Sequence, residues 1–404
     1  MTGADPAVGP AGFRELAKAT TFARERFHLA YFLRAADPLL ITKGALIEPV
    51  LALAVAAMGA RAQEPANRVA AAVDSAARII AQLANSQALP GWEAVVARRG
   101  HVLWSATGGF ADLQTRRPVT RATRFRVGSV SKLFTATAMA RLYTRGELDV
   151  DAPVQKYVPE FPAAARPITP LLLVGHLSGI RHYGRSDYVN RTHYAGVRAA
   201  LARFAGDSLV ALPGTRYAYS SYGFNLLGAV LEAASGAEFR DLLRRSVFAP
   251  LRMTGTVVED GTPWRDVARP YMRADSTIVP ADSIDLSDRW PSGGVLSTAE
   301  DMALFGRSLS DSAFLPTRDR ERMLTPQHTS SGDATTVGWG WRIGRDPQGR
   351  RIAHHGGDAM GGRAFVLVYP DEQLVVTFVT NLSFARFDER TAMAVAAPFL
   401  AAVH

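Results

Sequence analysis

Cysteine is absent from the 404 residues of the chain. This absence excludes disulfide bonds, metal sites built on thiolates and a cysteine nucleophile. It does not indicate a compartment, because a protein without disulfides can occur in any of them. If the chain forms a covalent intermediate, its nucleophile is therefore not a thiol.

Lysine is scarce, with only four among the 46 basic residues, at positions 18, 43, 132 and 156. The net charge is +9, but the arginines are scattered and carboxylates lie between them. There is no basic run with aromatic platforms, so we interpret the charge as a generally cationic surface and expect no nucleic-acid partner. Arginine stays protonated whereas a buried lysine can lose its proton, so each lysine marks a position where a neutral amine could be needed.

Long hydrophobic runs are also missing. No stretch reaches about 18 uncharged apolar residues, so no stable membrane span is expected. A shorter apolar run, Pro49 to Gly59, follows Lys43 and precedes the small-residue pattern Ala60-Arg61-Ala62. This order is typical of a secretory signal peptide, here about residues 44–62, and it predicts a secreted or periplasmic protein.

Two features oppose the signal peptide. The segment lies far from Met1, where such signals normally start, and Glu48 stands at the edge of the apolar run. The alternative is a buried helix within an N-terminal extension. Both interpretations treat residues 1–62 as an extension, and neither explains residues 1–43.

The rest of the chain, residues 63–404, has the composition of one globular unit with enough apolar side chains for a sizeable core. Apolar spacing predicts a helix over residues 69–83. Strand-like runs separated by turn residues occur near both ends, at 93–98, 102–107, 364–369 and 374–381. We therefore expect one sheet, built from about residues 90–110 and 335–404, and a mostly helical lobe over about 130–310.

A serine and a lysine stand three residues apart at the start of a predicted helix. Apolar residues at helical spacing run from Leu133 to Tyr143, and Gly146 is a plausible stop. Ser129 and Lys132 would share one face of this helix. A neutral lysine can accept the serine proton, and the amides at the helix N-terminus suit a developing oxyanion. The alternative is that Ser129 only caps the helix and Lys132 is solvated, since a bare S-x-x-K motif is weak evidence.

Other serine motifs are less convincing. Gly206-Asp207-Ser208-Leu209 spells the start motif of a lipase class, but no Asp lies three residues before any histidine, so we interpret it as a loop. The G-x-S-x-G pattern of α/β-hydrolases does not occur.

Two further segments contain candidate site residues. Tyr219-Ser220-Ser221 forms a polar turn before a predicted helix, although a lone tyrosine such as Tyr219 is more often a core residue. In the segment 351–364, His354 and His355 would face opposite sides of a strand, and Gly356 and Gly357 allow a close backbone approach. No H-E-x-x-H motif or carboxylate at ligand spacing accompanies the histidines, so we expect neither a metal nor another cofactor.

Together, Ser129-x-x-Lys132, Tyr219-Ser220-Ser221 and His354-x-Gly356 resemble, in order, the three motifs of serine β-lactamase-related and penicillin-binding-protein-like hydrolases. Three surrounding blocks strengthen the resemblance, namely residues 127–136, 176–183 and 293–301. The second of these, His176 to Tyr183, is most similar to the LACTB-type branch. The resemblance covers about residues 90–400. It implies an α+β fold in which an antiparallel sheet is flanked by helices beside a mostly helical lobe.

The resemblance also implies a role for each residue. Ser129 would be the acylated nucleophile and Lys132 its general base or proton relay. Tyr219 would protonate the leaving group or activate water, and His354 would occupy the cation position of the third motif. Ser221 and Gly356 would contact substrate, and the amides of Ser129 and Gly357 would form the oxyanion hole.

Two positions depart from the family pattern, which usually has Asn at the place of Ser221 and often Lys at the place of His354. A hydroxyl replaces an amide donor, and a histidine is a poorer permanent cation than a lysine. We therefore predict a metal-independent serine hydrolase of esters or peptides, including D-amino-acid peptides, rather than an efficient β-lactamase. The substrate would be a small molecule or a peptide. The alternative is a catalytically silent sensor of peptidoglycan fragments or penicillin, and the oligomeric state stays open.

Overall fold

The computed structural model describes the backbone of residues 47–402 and the side chains of residues 67–402. The chain divides into two units, residues 1–67 and 68–404. In the first unit, the described residues belong to the beginning of a helix that starts at Ile47. The predicted leader, residues 44–62, falls there; residues 44–46 and all its side chains lie outside the described part. The leader and the export of the protein thus remain predictions.

The described chain contains helices and strands that we number in chain order. The helices are α1 (Ile47–Ser86), α2 (Ser131–Thr144), α3 (Pro170–Val174), α4 (Ser221–Ser235), α5 (Phe239–Leu243), α6 (Trp290–Gly293), α7 (Ala299–Gly306), α8 (Thr317–Leu324) and α9 (Glu389–Ala402). The strands are β1 (Gly91–Arg98), β2 (His101–Asp112), β3 (Arg117–Pro118), β4 (Phe125–Arg126), β5 (Val257–Val258), β6 (Tyr271–Ala274), β7 (Thr277–Pro280), β8 (Val295–Ser297), β9 (Arg342–Arg345), β10 (Arg351–Ala359), β11 (Gly362–Tyr369) and β12 (Leu374–Thr380). Within residues 47–402, no helix is both long enough and apolar enough to cross a membrane.

The main sheet joins strands from the two ends of residues 68–404, as the sequence predicts. Its seven strands lie in the order β3-β2-β1-β12-β11-β10-β9, and the neighbouring strands whose register is defined are antiparallel. The turn between β1 and β2 has Arg99 and Gly100 at positive φ angles of 51° and 79°. Two positive φ angles match the twist of a tight hairpin, which confirms the turn predicted at these residues.

Each face of the sheet covers a separate hydrophobic core. On β1, Val95 and Ala97 belong to the core on the side of α2 and α4, whereas Ala94 and Val96 belong to the core against α1 and α9. This alternation follows from the two-residue period of a strand. Because α9 and the part of α1 that follows residue 68 cover one face, the helical lobe and any site beside it lie on the other.

Two helices of the lobe lie at segments for which the sequence predicts a helix. Helix α2 is almost entirely buried, and Gly146 follows its end at a φ of 73°. The polar turn at Tyr219 leads into α4, whose first turn is capped by Ser220. The segment 206–209 lies in a loop, so the lipase-like motif is in neither a strand nor a helix.

A fully buried carboxyl, Glu93, connects the sheet to the helix behind it. Its Oε2 accepts a hydrogen bond from the amide of Ala299, the first residue of α7, at 2.8 Å. Burial raises the pKa of Glu93 to about 8. The group is therefore mostly protonated at neutral pH in the folded state, although it ionises near pH 4.5 when exposed.

This difference makes the stability of the protein dependent on pH. Glu93 contributes most to the free energy of unfolding below the pKa that it has in the unfolded chain. As the pH rises from there toward 8, this contribution falls by about 1.4 kcal/mol per pH unit, because only the unfolded chain releases the proton. We expect urea unfolding to show that the free energy of unfolding of wild type falls between pH 5 and pH 8 by up to roughly 4 kcal/mol more than that of Glu93→Gln. An identical pH dependence in both proteins would contradict this prediction.

Candidate active site

Ser129 lies in a short 3₁₀ turn, Gly128–Val130, that leads directly into α2. Its side chain is partly exposed and lines a cavity of about 600 Å³. Gly128 has a φ of 51°, and a Cβ there would lie 2.5 Å from the carbonyl oxygen of Asp358. The turn thus packs directly on strand β10, which fixes the position of Ser129 against the sheet.

Lys132, one turn into the same helical segment, is fully buried beneath Ser129. Its Nζ lies 3.1 Å from Ser129 Oγ, 2.9 Å from Ser221 Oγ and 2.8 Å from the carbonyl oxygen of Ser292. Burial lowers the pKa of Lys132 well below its usual value of 10.5, because a charged amine would lose its hydration there. The amine is therefore suited to act as a base.

The three neighbours of Lys132 define how a neutral amine would be hydrogen-bonded. The carbonyl of Ser292 can only accept, so one N–H of the amine donates to it. The second N–H can donate to Ser221 Oγ, which leaves the nitrogen lone pair to accept the proton of Ser129. In this arrangement the hydroxyl of Ser129 points its hydrogen at the base.

Tyr219 lies beside both Ser129 and Lys132. Its ring centre lies 5.0 Å from Lys132 Nζ. Burial raises the pKa of the Tyr219 phenol above its usual value of 10, although a hydrogen bond to Ser129 and the charge of Arg342 act in the opposite direction. The phenol is therefore protonated at neutral pH, and it suits proton donation better than a role as a phenolate base.

Two histidines, the buried His176 and the partly buried His182, hold the second segment in place. The amide of Ser220 donates to Nδ1 of His176 at 3.1 Å, and the amide of Ser221 donates to Nδ1 of His182 at 3.2 Å. Burial lowers the pKa of both rings, that of His182 to about 4, so each ring stays neutral and keeps an accepting nitrogen. In the sequence these histidines stand out only as part of the block 176–183, and their contacts with the amides of Ser220 and Ser221 are not predicted by it.

The third segment lies on β10, and its two histidines face opposite sides, as expected for a strand. The His355 ring centre lies 6.3 Å from that of Tyr219, whereas His354 stacks on Phe365 and places its Nε2 3.1 Å from Glu389 Oε2. Burial lowers the pKa of His354 to about 4. His354 thus carries no permanent positive charge at neutral pH, and His355, which sequence analysis did not select, is the histidine that faces the tyrosine.

Gly357 brings the backbone of β10 against the nucleophile. A Cβ at this position would lie 1.9 Å from the carbonyl oxygen of Val127 and 2.9 Å from the amide nitrogen of Ser129. Only glycine allows this approach, which places the backbone of Gly357 beside the amide of Ser129. Two neighbouring amides at this point could bind a carbonyl oxygen that becomes negatively charged.

All the predicted segments meet around one cavity of about 600 Å³. Five of the predicted site residues line this cavity: Ser129, Tyr219, Ser221, His354 and Gly356. The other two, Lys132 and Gly357, pack against Ser129. Tyr183, Tyr188, Leu286 and Met360 add apolar surface. The cavity is wide enough for a small substrate and combines apolar walls with a few polar groups.

Comparison with known sequences agrees with this geometry. The sequence pattern described as beta-lactamase matches residues 76–398, about four fifths of the chain. The chain belongs to the beta-lactamase family. The match includes all three motif segments and confirms the resemblance noted from the sequence.

The relatives of the chain include proteins named as hydrolases. It is 27% identical over 399 residues to human serine beta-lactamase-like protein LACTB, covering 75% of this chain and 73% of the relative. It is 27% identical to a D-aminopeptidase of Gluconobacter oxydans, over 72% of this chain and 56% of the relative. It is 34% identical to esterase EstB of Burkholderia gladioli, over 47% of this chain and 52% of the relative. The family thus includes both peptidases and esterases.

The fold has close structural neighbours. The octameric penicillin-binding protein homologue of Pyrococcus abyssi superposes with a TM-score of 0.71 at 25% identity, over 81% of this chain and 77% of the neighbour. The predicted α+β fold, with an antiparallel sheet flanked by helices, is confirmed. The roles of the individual site residues stay predictions.

Proposed function

We propose that the protein is a metal-independent serine hydrolase that cleaves an ester or peptide bond through an acyl-enzyme. The observation that carries this proposal is the placement of a fully buried amine 3.1 Å from a partly exposed serine hydroxyl in the cavity wall. A serine needs such a base because its hydroxyl is a weak nucleophile on its own.

The arrangement supports a two-step reaction. Lys132 takes the proton of Ser129 as its oxygen attacks the substrate carbonyl, and the amides of Ser129 and Gly357 bind the oxyanion. The C–O or C–N bond then breaks, Tyr219 gives its proton to the leaving group, and the proton on Lys132 restores Tyr219. In the second step Lys132 takes a proton from water, whose oxygen attacks the acyl carbonyl. The bond between the acyl carbon and Ser129 Oγ then breaks, and the proton passes from Lys132 to that oxygen, which releases the acid and restores Ser129.

We place ester and peptide substrates ahead of β-lactams. Ser221 offers a hydroxyl where the family usually has an amide, and its oxygen already contacts Lys132 at 2.9 Å. The neutral His354 adds no cation of the kind that a lysine would supply at the third motif. The names of the D-aminopeptidase and esterase relatives agree with this order.

The direct test is a screen of the purified protein against simple esters, D-amino-acid peptides and nitrocefin, together with a fluorophosphonate probe. We expect turnover of at least one ester or peptide, weak turnover of nitrocefin and labelling by the probe. A well-folded protein that hydrolyses nothing and takes no label would instead support the silent sensor.

The hydroxyl of Ser221 gives a second prediction. If the missing amide limits β-lactam chemistry, Ser221→Asn is expected to raise the acylation rate by a fluorescent penicillin about tenfold, the effect of one hydrogen bond in a site. The rate is measured by gel fluorescence over time, and ester turnover serves as the control for an intact site. An unchanged penicillin rate with full ester turnover would remove this explanation.

We also propose export through the leader at about residues 44–62, with cleavage after Ala62. N-terminal sequencing of protein collected outside the cytoplasm would give Gln63 as the first residue. Mature protein that retains residues 44–62 would contradict cleavage at this position.

A further inference from the structure

The carbonyl of Ser292 belongs to a very short helix, although the proposed reaction needs it in a fixed place. It accepts one N–H of Lys132 at 2.8 Å, and this contact turns the lone pair of the amine toward Ser129. The helix that contains it, α6 (Trp290–Gly293), has four residues, and its N-cap residue Arg289 makes no side-chain capping bond. Such a short helix has little stability of its own. Contacts from outside α6 are therefore needed to hold the carbonyl.

A chain of hydrogen bonds reaches the side chain of Ser292 from two other parts of the fold. Asn225, on α4, donates from Nδ2 to Tyr183 Oη at 3.2 Å and to the carbonyl oxygen of Asp288 at 2.7 Å. Tyr183 Oη lies 2.7 Å from Ser292 Oγ. Ser292 Oγ in turn lies 3.3 Å from the carbonyl oxygen of Arg289. The chain thus joins α4, the loop that contains the tyrosine, and α6.

The direction of each proton in this chain follows from the carbonyls at its two ends. A carbonyl can only accept, so the atom of Asn225 that contacts the Asp288 carbonyl is the amide nitrogen, and its second hydrogen goes to Tyr183. Burial raises the pKa of the Tyr183 phenol above its usual value of 10, so the phenol keeps its proton and donates it to Ser292 Oγ. The serine proton then goes to the carbonyl of Arg289. Every donor has an acceptor, and the side chain of Ser292 is held in one orientation.

The aromatic ring of Tyr183 is fixed independently of its hydroxyl. It stacks on the ring of His182 with 5.1 Å between the ring centres, and it meets the ring of Tyr222 edge-on at 4.7 Å. The guanidinium carbon of Arg289 lies 5.0 Å from its centre. A phenylalanine at this position would keep these three contacts and lose only the hydroxyl. The role of the hydroxyl can therefore be tested without a change in the packing of the ring.

We propose that Tyr183 is a positioning residue for the general base: through Ser292 it holds the carbonyl that orients the amine of Lys132. Without the hydroxyl, the carbonyl and the amine would be free to turn, and the lone pair would point at Ser129 for a smaller part of the time. Such a loss of orientation slows the chemical step and has little effect on substrate binding. This inference rests on the proposed hydrolase function and adds a residue to the same site.

Removal of the two hydroxyls, singly and together, tests the inference by ester kinetics. We expect Tyr183→Phe to lower kcat about tenfold and to leave KM within about twofold of wild type, with a folded protein by circular dichroism. Ser292→Ala removes the next hydroxyl of the chain but keeps the backbone carbonyl, and it should cause a similar loss. Because both would act through one contact, the double variant should also lose about tenfold, whereas independent effects would multiply to about a hundredfold.

A second measurement reports on the amine itself. In protein labelled with ¹³C at the lysine ε-carbons, Tyr183→Phe is expected to move the signal of Lys132 and to leave that of the exposed Lys156 in place. Tyr222→Phe is the matched control, because its hydroxyl contacts Arg203 Nε at 3.3 Å while its ring packs against that of Tyr183. The control should keep the kcat and the Lys132 signal of wild type.

Three results would overturn the inference. An unchanged kcat and an unmoved Lys132 signal in folded Tyr183→Phe would show that the hydroxyl does not act on the base. A higher KM with an unchanged kcat would place the hydroxyl on the substrate instead. Losses that multiply in the double variant would show that Tyr183 and Ser292 act separately. If wild type hydrolyses nothing, the hydrolase function itself fails, and the Lys132 signal still decides whether Tyr183 positions the amine.

Discussion

Ser129→Ala is expected to abolish both covalent labelling and hydrolysis while leaving the fold intact. The side chain is small and partly exposed, so its removal costs little packing. It removes the only atom that is proposed to bond to the substrate, and loss of a nucleophile lowers kcat by roughly 10³-fold or more. The measurement is fluorophosphonate labelling by gel fluorescence together with ester turnover.

The rival serine motif supplies a matched control. Ser208 is exposed, lies in a loop and belongs to the lipase-like sequence Gly206-Asp207-Ser208-Leu209. Ser208→Ala should label and turn over as wild type does. Loss of labelling in Ser208→Ala but not in Ser129→Ala would transfer the chemistry to the other motif.

Lys132→Arg is expected to lower kcat by about 10²- to 10⁴-fold, the usual contribution of a general base. A guanidinium cannot give up its proton, so it cannot accept one from Ser129. It also does not fit the contacts that the amine makes within 3.1 Å of three oxygens. Ester kinetics measure the loss, and circular dichroism and the Tm show whether the variant is folded.

Two further variants make this experiment decisive. Lys132→Met keeps a similar length without a charge, and it should be as inactive as the arginine variant if the amine itself is the base. Lys156→Arg changes an exposed lysine beside Asp149 and should have wild-type kinetics. Near-normal turnover in either folded Lys132 variant would refute the role of the amine.

Much of the fold could be predicted because its signals are local. Alternating apolar residues with turn residues between them mark the strands at both ends of the chain, and one sheet is the simplest way to pair them. The spacing of Ser129 and Lys132 is equally local, since three residues along a helix place two side chains on one face. These features need no knowledge of the rest of the chain.

The remaining parts of the site depend on contacts between distant segments. The carbonyl of Ser292 contacts Lys132, which lies 160 positions earlier in the sequence. Because every residue type has a backbone carbonyl, the identity of residue 292 does not predict this contact. The alternation of a strand predicts that His354 and His355 face opposite sides, but it does not tell which side faces Tyr219. Arg342 joins the site only through the register of β9 with β10.

The state of the amine of Lys132 is the central claim, and the scarcity of lysine makes it measurable. With four lysines in the chain, protein labelled with ¹³C at the lysine ε-carbon gives a spectrum that is simple enough to titrate residue by residue. We predict that one signal, missing from Lys132→Arg, titrates well below the ordinary lysine value of about 10.4. A Lys132 signal that titrates at or above that value would show a charged amine and contradict the proposed chemistry.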